Sequence, residues 1–315
     1  MSVPVLALAG FLGAGKTTLL NHLLRNTRGV RIGALVNDFG AVNIDAMFVA
    51  GQVDAMASLS NGCICCAVDA SEAAEMLGRL AAVRPALDLI VVEASGIAEP
   101  PVLARTIATA GDDRFHYAGL VLVVDSAQPA ELGHGVRVAD LVVLNKASDG
   151  DADAVAAQVR AENPRVPLVY TDFARVDPAL LIDAPVKRRE RPTQLSLDEL
   201  LLEDDHHHEH PEYQSVEFSA DAPVNPRRFL AFLQDRPVGL YRAKGFVDFG
   251  DGGRYSVQLV GTSLRFEKRR GTGRGTTLVL IGTGINEVAV SSALEDCTRE
   301  PADENAMLGV HKYLV

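Results

Sequence analysis

Long apolar runs are missing from this 315-residue chain, and so is any basic flank ahead of its apolar start. No run approaches the roughly 20 residues that a membrane-spanning helix requires. Val3–Ala9 is apolar, but no basic n-region precedes it and a glycine-rich turn follows at once. It is expected to be a buried strand rather than a secretory signal. Positive charge is in deficit too: 30 Lys and Arg stand against 41 Asp and Glu, a formal net charge of −11. That balance disfavours non-specific binding to nucleic acid or an anionic membrane, and mildly favours cations. Two short basic groups, Lys187-Arg188-Arg189 and Lys268-Arg269-Arg270, are expected on solvated loops or hairpin edges. Cysteine is scarce, with four in the chain. A cytoplasmic location is expected, where thiols stay reduced and clustered cysteines mean metal or redox chemistry more often than disulfides.

Three of the four do cluster, in Gly62-Cys63-Ile64-Cys65-Cys66. Positions i, i+2 and i+3 do not share one helix face, so Cys63, Cys65 and Cys66 belong to a turn or loop. A turn can bring two or three sulfurs to about 2.3 Å from Zn²⁺ and leave a coordination position for a carboxylate, water or transferred ligand. An incomplete ligand set suits delivery, because a receiver can begin exchange at the open position. The competing structural reading is three reduced, buried, small hydrophobes. A redox pair is disfavoured, because the spacing is not C-x-x-C and a bond between adjacent Cys65 and Cys66 would be strained. Cys297 lies on a predicted helix face and is expected in the core. His206, His207, His208 and His210, flanked by acids, form a second and looser candidate site. Such a run binds Zn²⁺, Co²⁺ or Ni²⁺ weakly in several geometries, or serves simply as a solvated linker.

The composition, 48% hydrophobic and 23% charged, is that of a globular chain long enough for two domains. Short, almost wholly apolar runs alternate with helical patterns over the first part. Strands are expected at Val3–Ala9, Ile32–Val36, Leu89–Val92, Leu120–Val124, Leu141–Leu144 and Val166–Val169. Helices are expected at Lys16–Asn26, Ala70–Val83, Pro101–Ala110 and Ala152–Glu162. This is the signature of a mostly parallel α/β sheet with helices on both faces. A charged, proline-flanked and His-rich linker follows, with one short helix expected at Leu195–Leu202. Beyond it, strand-like runs at Ser215–Phe218, Leu240–Val247, Tyr255–Val260 and Thr277–Ile281 mix with helices near Pro226–Leu233 and Ile285–Leu294. These predict a smaller α+β domain with an antiparallel sheet. The division is 1–184, linker 185–212, and 213–315.

Gly10-Phe11-Leu12-Gly13-Ala14-Gly15-Lys16-Thr17 matches G-x-x-x-x-G-K-[ST], with a strand before it and a helix after it. The spacing makes it a phosphate-binding P-loop: Gly10, Gly13, Ala14 and Gly15 turn backbone N–H groups inward, and Thr18 follows in the first helical turn. Lys16 is expected to reach the β- and γ-phosphates, and the Thr17 hydroxyl to ligate Mg²⁺. Glu93, ending the apolar run Leu89–Val92, is the candidate second acid on the Mg²⁺ side, with Gly96 as sensor of the γ-phosphate. Asp125, after Leu122-Val123-Val124, competes for the acidic role, with a capping carboxylate as its plain alternative. Asn145-Lys146-Ala147-Ser148-Asp149 approximates the guanine-reading N-K-x-D, in which Asn meets the base edge, the Lys stem covers the ring and Asp accepts two N–H groups. The acid arrives one residue late. Either Ser148 takes its place and a charged acceptor is missing, or Asp149 takes the role.

Together these segments resemble the CobW-like metallochaperone GTPases, relatives of the UreG and HypB nickel-insertion GTPases. The likeness rests on Gly10–Thr17, Asn37-Asp38-Phe39-Gly40, Gly62–Cys66, Glu93-Ala94-Ser95-Gly96-Ile97-Ala98-Glu99-Pro100 and Asn145-Lys146. The order of these motifs and the tail add to it, the tail being a His-rich stretch and then a small C-terminal domain. The resemblance implies that Glu93 stands in for the usual aspartate. It also implies that Cys63, Cys65 and Cys66 bind zinc or a neighbouring divalent metal, and that Asn37–Gly40 is a nucleotide-sensing switch. GTP would be hydrolysed slowly to GDP and phosphate, since no arginine finger or catalytic glutamine is evident. Two departures stand out: Ala41 where the family often carries a further acid, the next being Asp45, and Ser148 in the guanine motif. The resulting expectation is a GTPase that couples nucleotide state to zinc handling and passes the metal to a client metalloprotein. Rival readings are cobalt delivery for cobalamin synthesis, a zinc buffer with incidental hydrolysis, and a P-loop small-molecule kinase. A homodimer is compatible with the sequence.

Overall fold

The computed structural model describes residues 2–27, 29–36, 55–58, 70–95, 99–128, 132–182, 213–269, 274–302 and 305–314. The Asn37–Gly40 segment, the Cys63–Cys66 cluster, Gly96, the expected helix at Leu195–Leu202 and His206–His210 lie outside the described residues.

The first half folds as a seven-stranded sheet built from β1 (Val3–Ala9), β2 (Ile32–Val36), β3 (Ala55–Ser58), β4 (Leu89–Glu93), β5 (Phe115–Asp125), β6 (Leu141–Asn145) and β7 (Leu168–Thr171). Their order is β3-β2-β4-β1-β5-β6-β7, and all pairings are parallel. β2, β4 and β6 are largely apolar runs buried at every position, as parallel strands covered on both faces must be. The interspersed helices are α1 (Lys16–Asn26), α2 (Ala70–Ala81), α3 (Pro100–Ala108), α4 (Gly133–Val138), α5 (Ala152–Glu162) and α6 (Pro178–Leu181).

Among the described residues, helices cover one face: Leu77 and Leu80 of α2, Leu103 and Ile107 of α3, Val136 of α4, and Val155 and Val159 of α5 share a core with Val5, Val92 and Val142. The other face departs from expectation. Leu19, Leu20 and Leu23 of α1 cover part of it, and Tyr241 and Ile281 of the C-terminal domain join the same core. A sheet, and not only helices, therefore closes that side.

The C-terminal domain is a five-stranded antiparallel sheet of β8 (Tyr213–Ala220), β9 (Leu240–Asp248), β10 (Arg254–Val260), β11 (Ser263–Arg269) and β12 (Thr276–Thr283), in the order β11-β10-β9-β12-β8. Burial alternates along β10, whose Tyr255, Val257 and Leu259 point to the face away from the first domain, whereas consecutive residues are buried at the start of β9. Over that face lie α7 (Pro226–Gln234), α8 (Glu287–Asp296) and α9 (Leu308–His311), around a cluster of Phe229, Phe249, Tyr255 and Phe266. Lys268 and Arg269 fall on the edge strand β11, consistent with the hairpin-edge reading. Cys297 caps the end of α8, buried, its Sγ donating to Ala293 O at 3.2 Å. Burial pushes its thiol up to about 11, which disfavours the thiolate at neutral pH.

At the domain junction Asp140 is buried at the start of β6. Its carboxylate accepts from Leu120 N at 2.8 Å, Thr262 N at 2.7 Å, Thr262 Oγ1 at 3.0 Å and the Tyr117 hydroxyl at 3.2 Å. Two of these donors belong to the first domain's own β5, and two to the β10–β11 turn of the second. Gly261 faces this carboxylate, and a Cβ there would collide with the Asp140 side chain.

Candidate functional site

The carboxyl ends of β1, β4, β5, β6 and β7 carry the candidate residues, where an open parallel sheet forms its ligand crevice. Residues 10–15 connect β1 to α1. Gly10 has φ +146° and a Cβ there would strike the Val123 carbonyl of β5, so the loop can leave the sheet only through glycine. Gly15, at φ +108°, is the N-cap of α1, and a Cβ there would meet the Asn145 amide. Gly13 also takes a positive φ, of 76°. Ala14 is buried beneath the loop, whereas Thr18 is exposed on the first turn of α1. The first-turn N–H groups of α1 suit an anion.

Lys16 is buried with its ammonium folded back over the loop, donating to Gly10 O at 2.9 Å and Phe11 O at 3.1 Å. An ammonium bound to carbonyl dipoles at the mouth of the loop is well placed to exchange them for phosphate oxygens. Next to it the Thr17 hydroxyl donates to Glu93 Oε1 at 2.6 Å. Glu93 is buried at the end of β4, and β4 lies beside β1 in register, with Leu8 opposite Glu93. A hydroxyl and a carboxylate side by side form a hard-oxygen pair of the kind Mg²⁺ takes, so the residues fit that ion.

Asp125 sits differently. Its Oδ1 caps the following turn by accepting from Ala127 N and Gln128 N, and its Oδ2 is bound by Lys146 Nζ at 2.5 Å. Burial pushes its carboxyl up, but the Lys146 contact and the two N–H donors outweigh that and hold it below the usual range. Asp125 is thus a cap and the Lys146 counter-ion, and the Thr17-linked acid is Glu93.

Asn145 closes the other end of the loop. Its Nδ2 donates to Ala14 O at 2.8 Å and its Oδ1 accepts from Ala174 N at 2.9 Å, so one amide ties the phosphate loop to the segment after β7. Lys146 stands at φ +56°, and Phe173 and Ala174 at +54° and +52°, three non-glycine residues in the left-handed region around one crevice. Backbone held this way clusters at ligand sites. Phe173 is 73% exposed and Arg175 lies over its ring at 5.7 Å from the centroid.

Sequence reasoning had no role for two residues that the fold brings here. Ala174 supplies the N–H that orients Asn145. Asp172 accepts the Ser148 N–H on Oδ1 at 3.1 Å and the Ser148 hydroxyl on Oδ2. The one available signal for Asp172 was its place directly after an apolar strand, in Leu168-Val169-Tyr170-Thr171-Asp172, the same grammar that marked Glu93. Among the described residues no group of three or more His, Cys, Asp or Glu side chains converges as a metal site. Nor is any described helix long and apolar enough to cross a membrane.

Comparison with known proteins fits this architecture. Residues 4–169 match the CobW/HypB/UreG nucleotide-binding domain, and residues 213–298 the cobalamin synthesis protein CobW C-terminal domain. The chain is 30% identical over 341 residues to the zinc chaperone CobW of a Sinorhizobium species, spanning 93% of this chain and 96% of that protein. It is 30% identical over 353 residues to the zinc chaperone CobW of Pseudomonas aeruginosa, spanning 93% and 90%. It is also 32% identical over 184 residues to the zinc-regulated GTPase metalloprotein activator 1 of Dictyostelium discoideum, spanning 51% of this chain and 38% of that protein. With a nucleotide-binding domain and a C-terminal domain of the matching types in the matching order, the chain belongs to the CobW/HypB/UreG family.

Proposed function

We propose that this protein binds GTP and hydrolyses it slowly to GDP and phosphate, and that nucleotide state controls the binding and release of zinc to a client metalloprotein in the cytoplasm. The observation that carries the nucleotide half is the joined set of Lys16, Thr17 and Glu93, with Thr17 Oγ1 2.6 Å from Glu93 Oε1 at the mouth of the P-loop. Near full-length similarity to proteins named zinc chaperones supports the metal half.

In this reading the P-loop N–H groups and Lys16 hold the β- and γ-phosphates. Thr17 and Glu93 would hold Mg²⁺, whose charge offsets that developing on the transferred phosphoryl oxygens. Asn145 fixes the base pocket to the phosphate loop, and the Lys146 stem, anchored through Asp125, covers the base. Gly96 senses the γ-phosphate, and Asn37–Gly40 follows it. These loops hold Cys63, Cys65 and Cys66 in one arrangement with GTP and another with GDP, so that the cargo Zn²⁺ is held and then released. His206, His207, His208 and His210 would raise the local concentration of zinc, Co²⁺ or Ni²⁺ without fixing it.

Linkage supplies the test. If GTP changes zinc affinity by some factor, zinc must change GTP affinity by that same factor. GTP is titrated into the full chain with and without zinc, in the wild type and in Cys65→Ala/Cys66→Ala. A zinc-dependent shift in the wild type that vanishes in the variant is expected. Equal GTP affinities in both conditions would reduce the protein to a zinc buffer with an independent nucleotide site.

A further inference from the structure

We infer that Asp172 is the carboxylate that reads the nucleotide base, in place of the acid missing from position 148; this rests on the guanine nucleotide reading above. The N-K-x-D pattern places its acid two residues after the lysine, and here that residue is Ser148. The fold returns a carboxylate to the same spot from the neighbouring strand. β6 and β7 run side by side with Asn145 opposite Thr171, and Asp172 follows directly. Both of its oxygens meet Ser148, Oδ1 through the backbone N–H at 3.1 Å and Oδ2 through the hydroxyl.

That position is held on both sides. Ala147 N donates to Thr171 O at 3.2 Å before it. After it, Ala174 N donates to Asn145 Oδ1 at 2.9 Å. The buried Thr171 hydroxyl bridges Asp172 O at 3.2 Å and Arg175 O at 3.1 Å. The two left-handed residues Phe173 and Ala174 turn the chain immediately after Asp172, so the carboxylate stays at the crevice while the backbone leaves it. Asp149 is exposed, and its backbone N–H closes a turn onto Lys146 O at 3.1 Å.

The chemistry of the base then decides. Guanine presents N1–H and a 2-amino group side by side, two donors that require two adjacent acceptors. Each carboxylate oxygen of Asp172 spends one lone pair on Ser148 and keeps one for the base. Adenine offers a lone pair at N1 and a C–H at position 2, which a carboxylate rejects. Xanthine keeps N1–H but carries a carbonyl at position 2. An asparagine at 172 would accept from N1–H through its oxygen and donate to that carbonyl through its nitrogen.

The experiment is competitive binding of GTP, ITP, XTP and ATP to the full chain, in the wild type, Asp172→Asn, Asp149→Asn and the exchange Ser148→Asp/Asp172→Ser. The wild type is expected to order them GTP, then ITP, with XTP and ATP far weaker. Asp172→Asn is expected to lose about 100-fold in GTP affinity, the size of a lost charged hydrogen bond, and to bind XTP more tightly than GTP. A gain in XTP binding cannot come from misfolding. The exchange variant is expected to keep the guanine preference, and Asp149→Asn to match the wild type. Two results overturn Asp172 alone while leaving the guanine reading intact: a wild type that prefers GTP with the GTP-to-XTP ratio unmoved by Asp172→Asn, or a switch produced by Asp149→Asn. A wild type that binds ATP as tightly as GTP overturns both.

Discussion

Replacing Asn145 tests whether one buried amide holds the nucleotide crevice together. Its Nδ2 satisfies Ala14 O and its Oδ1 satisfies Ala174 N–H, and Asn145, Ala14 and Ala174 are all buried. Asn145→Ala leaves a buried carbonyl and a buried N–H without these partners. Each orphaned group costs about 1–3 kcal/mol, so the loss is about 2–6 kcal/mol. Asn145→Asp separates the two contacts. The Ala174 N–H keeps an acceptor, but an anionic oxygen now faces Ala14 O, and two acceptors repel in a site shielded from water. Its defect should therefore shrink in acid, where a protonated carboxyl can donate to Ala14 O, whereas the alanine defect should not. Urea denaturation of the full chain gives the global loss, and hydrogen exchange at the Ala174 amide gives the local one. Ala174 exchange should accelerate strongly in the alanine variant and little in the aspartate variant. An alanine variant within about 0.5 kcal/mol of the wild type at unchanged m-value would refute the reasoning, since that is the range of a surface substitution.

Two further outcomes follow from the domain junction. His116 on β5 is held down to about 4 by burial first and by the Arg265 charge second, and its Nδ1 lies 2.8 Å from the Ser2 hydroxyl. The unfolded chain takes up this proton near the ordinary value and the folded chain does not. Stability contributed here is therefore full above about pH 6.5 and falls as pH drops towards 4, by about 3 kcal/mol at most. The difference between wild type and His116→Gln in urea midpoints from pH 7.5 to 4.5 isolates it, and parallel curves would exclude it. Gly261→Ala should cost about 2–4 kcal/mol, because φ is +53° and the new methyl meets an Asp140 side chain pinned by four donors. In Asp140→Gly/Gly261→Ala the two losses should fall short of additive, the first removing the Oδ1, Cβ and Cγ atoms that the methyl strikes. Additive melting shifts would place the cost in the backbone angle alone.

Much of this molecule was legible because its signals are local. The strand ending in Glu93 and the P-loop between Ala9 and Lys16 are contiguous segments whose period, glycines and terminal acid specify their geometry. Most expected strands and helices in both domains reappear within a residue or two of their expected bounds; β5 is longer, running Phe115–Asp125 rather than Leu120–Val124, and β7 is displaced to Leu168–Thr171 from Val166–Val169. What escaped is non-local or weakly patterned. Ala55–Ser58, with three small residues and one methionine, has no β-branched or aromatic residue to announce a strand, yet β3 forms by pairing in parallel with Gly33–Val36. Ser263–Arg269 is mostly polar and becomes a strand because β10 offers it a ladder, with Arg254 opposite Arg269 and Val260 opposite Ser263. Strand pattern alone left Asp125 as a competitor of Glu93, since each is an acid ending an apolar strand, and only the motif resemblance favoured Glu93. Neighbours separate them: Thr17 lies beside one and Lys146 beside the other.

The same reasoning explains why the segment from Asp172 to Leu181 matters beyond its length. It begins on Ser148, meets Asn145 through Ala174, accepts the His22 ring through Val176 O at 3.0 Å and accepts Arg242 Nη1 through Ala179 O at 3.4 Å. One short stretch thus touches the base crevice, α1 and the C-terminal sheet in turn. The Asp140 carboxylate, which meets Thr262 of the second domain, lies just ahead of β6, at the far end of that strand from Asn145. Residues 172–181 thus give one continuous stretch between the base crevice and the second domain, beside the core that Tyr241 and Ile281 share with the first domain. Arg242 lies in a place where burial lowers its guanidinium to about 10. Its contact with Ala179 O is thus made away from solvent, where a polar contact carries more weight than at the surface.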